Sequence, residues 1–265
     1  MLSFSSDQLN AWLGAFLWPF VRILTLIATA PPFNQPNVPT MVKVGLAALL
    51  TVIISPLLGP LPTVGVSSAS GLLILAQQIL IGGAMGLSMQ VVFAAVEAGG
   101  EFAGLQMGLG FAQLITPTAT GGATLVLANL LNVFCTLMFL AIDGHLRLIS
   151  ALMDTFTTLP ISTANLQPHG FETIAAWGGS IFSGGLMMCM PIVAVILMAN
   201  ISVGILNRAA PQIGVYQVGF AITLLTGVVM LDITLPNVIP YIGQLIEAGF
   251  DALYATIAGF GGESH

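Results

Sequence analysis

Hydrophobic positions fall in long unbroken runs, and polar ones collect at the run ends. Six runs are long enough to matter: Leu9–Ala30, Met41–Leu58, Gly71–Val96, Thr124–Ile142, Gly178–Leu206 and Val215–Leu235. A helix needs about 20 apolar residues to cross a bilayer core, so each run predicts one long apolar helix. No strand alternation interrupts them. The pattern predicts an all-α membrane protein of about six long apolar helices, with residues 1–265 forming one domain and a short polar tail from Gly259 to His265. The first run follows Asp7 and precedes Pro31-Pro32, which is not the pattern of a cleavable signal peptide.

Between the runs lie helix breakers. Pro31–Pro39 reads PPFNQPNVP and cannot be helical. Further breaks are expected at Pro56–Ser70 and Leu159–Phe171. Two stretches are long for one crossing. Gly71–Gly108 either bends at Gly82-Gly83 or continues as one long helix, and Thr173–Asn207 has Pro191 as its candidate kink. No internal repeat is evident beyond a weak echo of FLAID (Phe139–Asp143) in VVMLD (Val228–Asp232).

Composition removes the soluble alternative. Only 5% of residues are charged and 57% are hydrophobic, whereas a soluble domain carries about 25% charged residues. Val44–Val96, Phe102–Ile142 and Thr173–Asn207 contain no Lys, Arg, Asp or Glu at all. A net charge of −6 makes nucleic acid a poor partner. Cys135 and Cys189 lie inside apolar runs and read as buried thiols. The three histidines, His145, His169 and His265, give no metal spacing, and no cofactor is expected. No nucleotide-binding motif is present, and neither His nor paired Asp stands where intramembrane proteolysis needs it. The chain is read as no enzyme.

The informative polar residues are few. Arg22 sits in the middle of the first run, where a cation either snorkels to an interface or forms an ion pair with another helix or subunit. Glu97 and Glu101 are neighbours one helical turn apart. Gly100, Gly104 and Gly108 recur every four residues, a small-residue face that lets another backbone approach. Directly after comes LITPTATGGATL (Leu114–Leu125), a charge-free break. Irregular backbone of that kind survives at membrane depth only when protein buries it or it lines a cavity, so it reads as a re-entrant loop or as a hairpin connection. Asp143-Gly144-His145 with Arg147 and Asp154 reads as a polar helix end. Asn200, Asn207, Arg208, Pro211 and Gln212 close the fifth run and suit helix or subunit contacts.

The run GEFAGLQMGLGFAQ at Gly100–Gln113 resembles the signature of the FliR family of flagellar biosynthesis proteins, counterparts of the T subunit of injectisome type III secretion. FVRILTLIATAPPF (Phe20–Phe33), FLAIDGHLRLI (Phe139–Ile149) and MANISVGILNRAAPQIGVYQVGF (Met198–Phe220) agree in order and spacing over almost the whole chain. The chain departs from that family at Gly214 and Tyr216, where Asn and Phe are common, and before Pro117, where an acidic residue is frequent.

The resemblance implies a subunit of the flagellar type III protein export gate in the bacterial inner membrane, within the basal body. Its helices would pack as hairpins in a hetero-oligomeric core with P-type and Q-type subunits (FliP, FliQ) and the B-type switch subunit (FlhB), passing unfolded export substrates. The family's plug maps to about Gly110–Ala123. Candidate gate residues are Met107, Leu109, Gly110, Phe111, Gln113, Leu114, Thr116, Pro117, Thr118, Gly121 and Gly122. Candidate contact residues are Arg22, Glu97, Gly100, Glu101, Gly104, Gln106, Gly108, Asn207, Arg208, Pro211 and Gln212. The rival reading is an ion-coupled small-molecule transporter using Asp143, Asp232 and the Glu97/Glu101 pair. Against it stand the missing repeat and the lack of paired broken helices.

Overall fold

The computed structural model of the chain describes residues 6–35, 37–59, 61–62, 64–110, 126–209 and 215–262. Among these residues there are no strands and eight α-helices: α1 (Ser6–Thr29), α2 (Thr40–Ile54), α3 (Ala69–Gln106), α4 (Val126–Ala141), α5 (Gly144–Thr158), α6 (His169–Gly178), α7 (Ser180–Ala209) and α8 (Val215–Gly261). A single 3₁₀ turn, Ser55–Leu57, follows α2. The all-α membrane class is as predicted. Five helical stretches are long and apolar enough to cross a membrane, and the pair α4 and α5, broken at Ile142–Asp143, supplies a sixth if it counts as one span.

The element boundaries add detail that apolar runs alone did not carry. Helix α3 runs unbroken through Gly82 and Gly83, so the long-helix alternative holds and the bend does not occur. Helix α8 continues past Leu235 through Pro236 and Pro240 to Gly261. Glu247 and Asp251 dilute its second half, which hides it from a search for apolar runs. A proline inside a helix frees a carbonyl one turn back, and such sites persist where side chains and neighbours re-satisfy the backbone. Helix α5 was also hidden, because Arg147 and Asp154 make it read as a polar end. Its Leu148, Ala151, Leu152, Thr155 and Phe156 are buried, at the three- and four-residue spacing of an amphipathic helix.

The chain divides into two compact units. Unit 1 comprises Met1–Val91, Asp143–Gly178 and Ala248–His265. Its core gathers Trp18, Ile23 and Leu26 of α1, Ile74, Met85 and Met89 of α3, Leu148 and Leu152 of α5, and Phe250 and Leu253 of α8. Helices α1 and α3 approach through glycine. A Cβ on Gly82 would overlap the Arg22 carbonyl oxygen, and one on Gly86 would overlap the Thr29 hydroxyl. At the other edge, Phe171 of α6 meets Phe260 of α8 edge-on at 4.8 Å between centroids, and a Cβ on Gly259 would lie 2.9 Å from the Gly170 Cα. The prolines of 31–39 end α1 as expected, and Lys43 Nζ donates to Asn34 Oδ1 at 2.7 Å across the turn.

Unit 2 comprises Val92–Ile142 and Gly179–Glu247. It packs the second half of α3 against α4, α7 and the first part of α8. Phe93 meets Phe139 at 6.1 Å, and Phe102 meets Phe182 at 5.6 Å. A small cavity of about 20 Å³, lined by Gly99, Leu131, Cys189, Ile192 and Thr234 among others, lies between these helices. That is room for about one water.

Candidate functional site

Of the candidate residues, Glu97, Gly100, Glu101, Gly104 and Gln106 lie on the last turns of α3, and Met107, Gly108, Leu109 and Gly110 follow directly after it. The helix ends after Gln106 because Gly108 takes φ +83°, a conformation that costs an L-residue with a Cβ about 1–2 kcal/mol. Gly108 N–H donates to the Leu105 carbonyl at 3.0 Å and Leu109 N–H to the Gly104 carbonyl at 3.0 Å. These two bonds are the Schellman pair that satisfies orphan carbonyls at a helix end. Gly108 is therefore a terminator, and the expectation that it extends the Gly100/Gly104 face is corrected. A four-residue spacing suits both roles; only the sign of φ separates them.

The cap is clamped by α8. A Cβ on Gly108 would sit 3.0 Å from ring carbons of Phe220. Met107 is buried, and a Cβ on Gly227 would overlap its Cγ and stand 2.9 Å from its Cε. One turn or two back, Gly100 lies on α4: a Cβ there would be 2.5 Å from the Ala128 Cα. Gly104 is buried, Gln106 is exposed, and Leu109 and Gly110 are partly exposed.

Glu97 and Glu101 stand partly exposed on the same stretch of α3. Asn207 and Arg208 are exposed on the last turn of α7, where a cation complements the helix dipole. Phe111, Gln113, Leu114, Thr116, Pro117, Thr118, Gly121, Gly122, Pro211 and Gln212 lie outside the described residues. Among the described residues no cluster of three or more His, Cys, Asp or Glu could hold a metal ion.

Two contact points escaped the sequence reading. Gly185 of α7 fits against α3 so closely that its Cβ would lie 2.8 Å from the Ala95 carbonyl oxygen and 3.0 Å from the Gly99 nitrogen. Tyr241 donates from its hydroxyl to the adjacent Gly184 carbonyl at 3.3 Å. The Gly184-Gly185 pair in mid-run was the available signal. Gly82 and Gly86 were a second, since a small-residue pair four apart marks a close helix contact as readily as a bend.

Arg22 belongs to unit 1 and lies away from solvent altogether. Its Nε donates to Gln78 Oε1 at 2.7 Å, Nη1 to the Thr155 carbonyl at 2.9 Å and to Thr155 Oγ1 at 3.1 Å, and Nη2 to the Leu159 carbonyl at 2.9 Å. The guanidinium carbon also stands 4.5 Å from the Phe156 ring centroid. Arg22 thus neither snorkels nor forms the ion pair expected of it, because neutral oxygens take up its donors. It ties α1 to α3 and α5 within the chain, and every acceptor that holds it is neutral.

With this geometry in place, comparison with known proteins decides the family. A family model described as bacterial export proteins, family 1, matches residues 13–249. The chain belongs to that family. Curated relatives named flagellar biosynthetic protein FliR include one from Pectobacterium carotovorum subsp. carotovorum, 47% identical over 96% of both chains. One from Escherichia coli (strain K12) is 41% identical, again over 96% of both. One from Bacillus subtilis (strain 168) is 28% identical over 82% of this chain and 84% of the relative. The match of the bacterial export family takes in Arg22, the α3 terminus and its partners on α8.

Proposed function

We propose that this chain is a subunit of the flagellar protein export apparatus and that its segment Gly110–Ala123 plugs the export channel. Family membership and near full-length similarity to FliR proteins support the first part. In this reading residues 1–265 act as one subunit of the inner-membrane gate at the basal body. FliP, FliQ and FlhB are its partners, and unfolded flagellar proteins are the cargo. No covalent chemistry is assigned to it.

The plug rests on one observation, the fixed end of α3. The Schellman turn at Gly108–Leu109 and the Met107–Gly227 contact hold the point where the segment begins. A seal needs a fixed anchor and a yielding stopper. The following residues, rich in Thr, Gly and Pro and free of charge, have the composition of the second. Met107, Leu109, Phe111 and Leu114 would make the dry contacts.

Deleting Pro117–Gly122 tests this. The deletion complex should assemble, and cells carrying it should take up small dyes or show raised membrane conductance. Normal assembly with no leak overturns the plug and leaves the segment as an external connection.

A further inference from the structure

Unit 1 contains a cavity of about 180 Å³ beside the buried cation. One water needs only about 10–15 Å³ on the same measure, so the space suits something larger. Its walls include two of the groups that hold Arg22: the Gln78 side chain and residue Leu159. The remaining polar lining is Gln77, Thr158, Ser162 and Asn165, and no acidic side chain lines it. The Gln78 amide is oriented by its bond from Arg22, which occupies Oε1. Its Nε2 donates to no group among the described residues, and Gln78 lines the cavity. Gln77 Nε2 donates to the Ala164 carbonyl at 2.7 Å, which holds the loop wall in place.

The electrostatics point one way. A buried cation surrounded only by neutral acceptors keeps its full charge uncompensated, which is costly unless an anion stands near. Gln78 passes that field to the cavity as an aligned dipole, with its donor end presented. Amide and hydroxyl donors on a cationic background select an oxyanion. Ile81, Leu166 and Phe260 supply apolar wall beside them. We infer that this cavity is an anion site that takes a phosphate group, free or as the headgroup of an acidic phospholipid, held by Gln78, Ser162 and Asn165 over Arg22.

The test uses the full chain purified from membranes with the subunits that accompany it. Thermal melting is followed in inorganic phosphate against chloride of matched ionic strength, and in phosphatidylglycerol nanodiscs against phosphatidylcholine nanodiscs. Binding to the folded form alone raises Tm by mass action. A rise in phosphate identifies a free anion, and a rise only in phosphatidylglycerol identifies the lipid headgroup. Asn165 is exposed at the rim, so Asn165→Glu should assemble, repel the anion and abolish the rise. Asn165→Ala, milder still, should weaken the apparent affinity several-fold. The proposal fails if neither anion raises Tm, or if Asn165→Glu responds as the unmodified chain does.

Discussion

Arg22 shows how far a single residue can be read. A cation in the middle of an apolar run was expected to snorkel or to form an ion pair, and neutral groups hold it instead. Its partners lie 56, 133 and 137 residues away in sequence, and two of the accepting atoms are backbone carbonyls, which no side-chain pattern reveals. The residue belongs to the interior of unit 1 and its geometry is a fork. Arg22→Met should destabilise by about 3–5 kcal/mol, because it strands the acceptors of Gln78, Thr155 and Leu159. Arg22→Lys should recover only part of the loss, since an ammonium cannot reach three separated acceptors in one plane. Melting of the purified complex measures both; equal stability of the Lys variant and the unmodified chain would rule out the fork. Asp143 illustrates the opposite case. It takes φ 56° and opens α5, and nothing in the Asp-Gly pair separates this from an ordinary turn.

At the scale of elements, glycine carried the information and was only half legible. Spacing located Gly100 and Gly104 on a packed face, while the pairs Gly184-Gly185 and Gly82/Gly86 signalled close contacts that only the neighbouring helices separate from a bend or an ordinary run. Gly82 and Gly83 make a direct comparison. A Cβ on Gly82 meets the Arg22 carbonyl, whereas one on Gly83 meets nothing within 4 Å. Gly82→Ala should therefore destabilise unit 1, by about 1–3 kcal/mol for overpacking. Gly83→Ala should stabilise it by about 0.5–1 kcal/mol, the helix-interior penalty of glycine. Opposite signs in thermal melting are expected; a matching loss in both would mean that the α1–α3 approach is not the cause. Gly108→Ala tests the cap. Its positive φ should cost about 1–2 kcal/mol and loosen the end of α3, and cells with the variant should leak more dye at unchanged assembly if that end anchors a plug. A stable variant without leak would separate the cap from gating.

The exposed face of α7 mixes apolar side chains with amides and hydroxyls. On α7, Met187, Met198, Ile201 and Ile205 are exposed, at up to 69% for Met187. Asn200, Ser202 and Asn207 are exposed among them. Side-chain amides facing hydrocarbon are costly, whereas against another protein they find hydrogen-bond partners and small residues find close packing. A surface mixing the two suits neighbouring subunits, and this much followed from composition: 5% charge left too few polar groups for water and too many amides for lipid. Which helices carry that surface did not follow, because it depends on what the fold buries. Expressed alone, the chain should therefore aggregate or be degraded, and co-expression with the other export subunits should restore a monodisperse complex. Ile201→Glu on the exposed face of α7 should leave membrane insertion intact and remove the partners from the purified material. Size-exclusion chromatography in mild detergent reads both. A monodisperse, stable preparation of the chain by itself would show that α7 faces lipid and that the partner surface lies elsewhere.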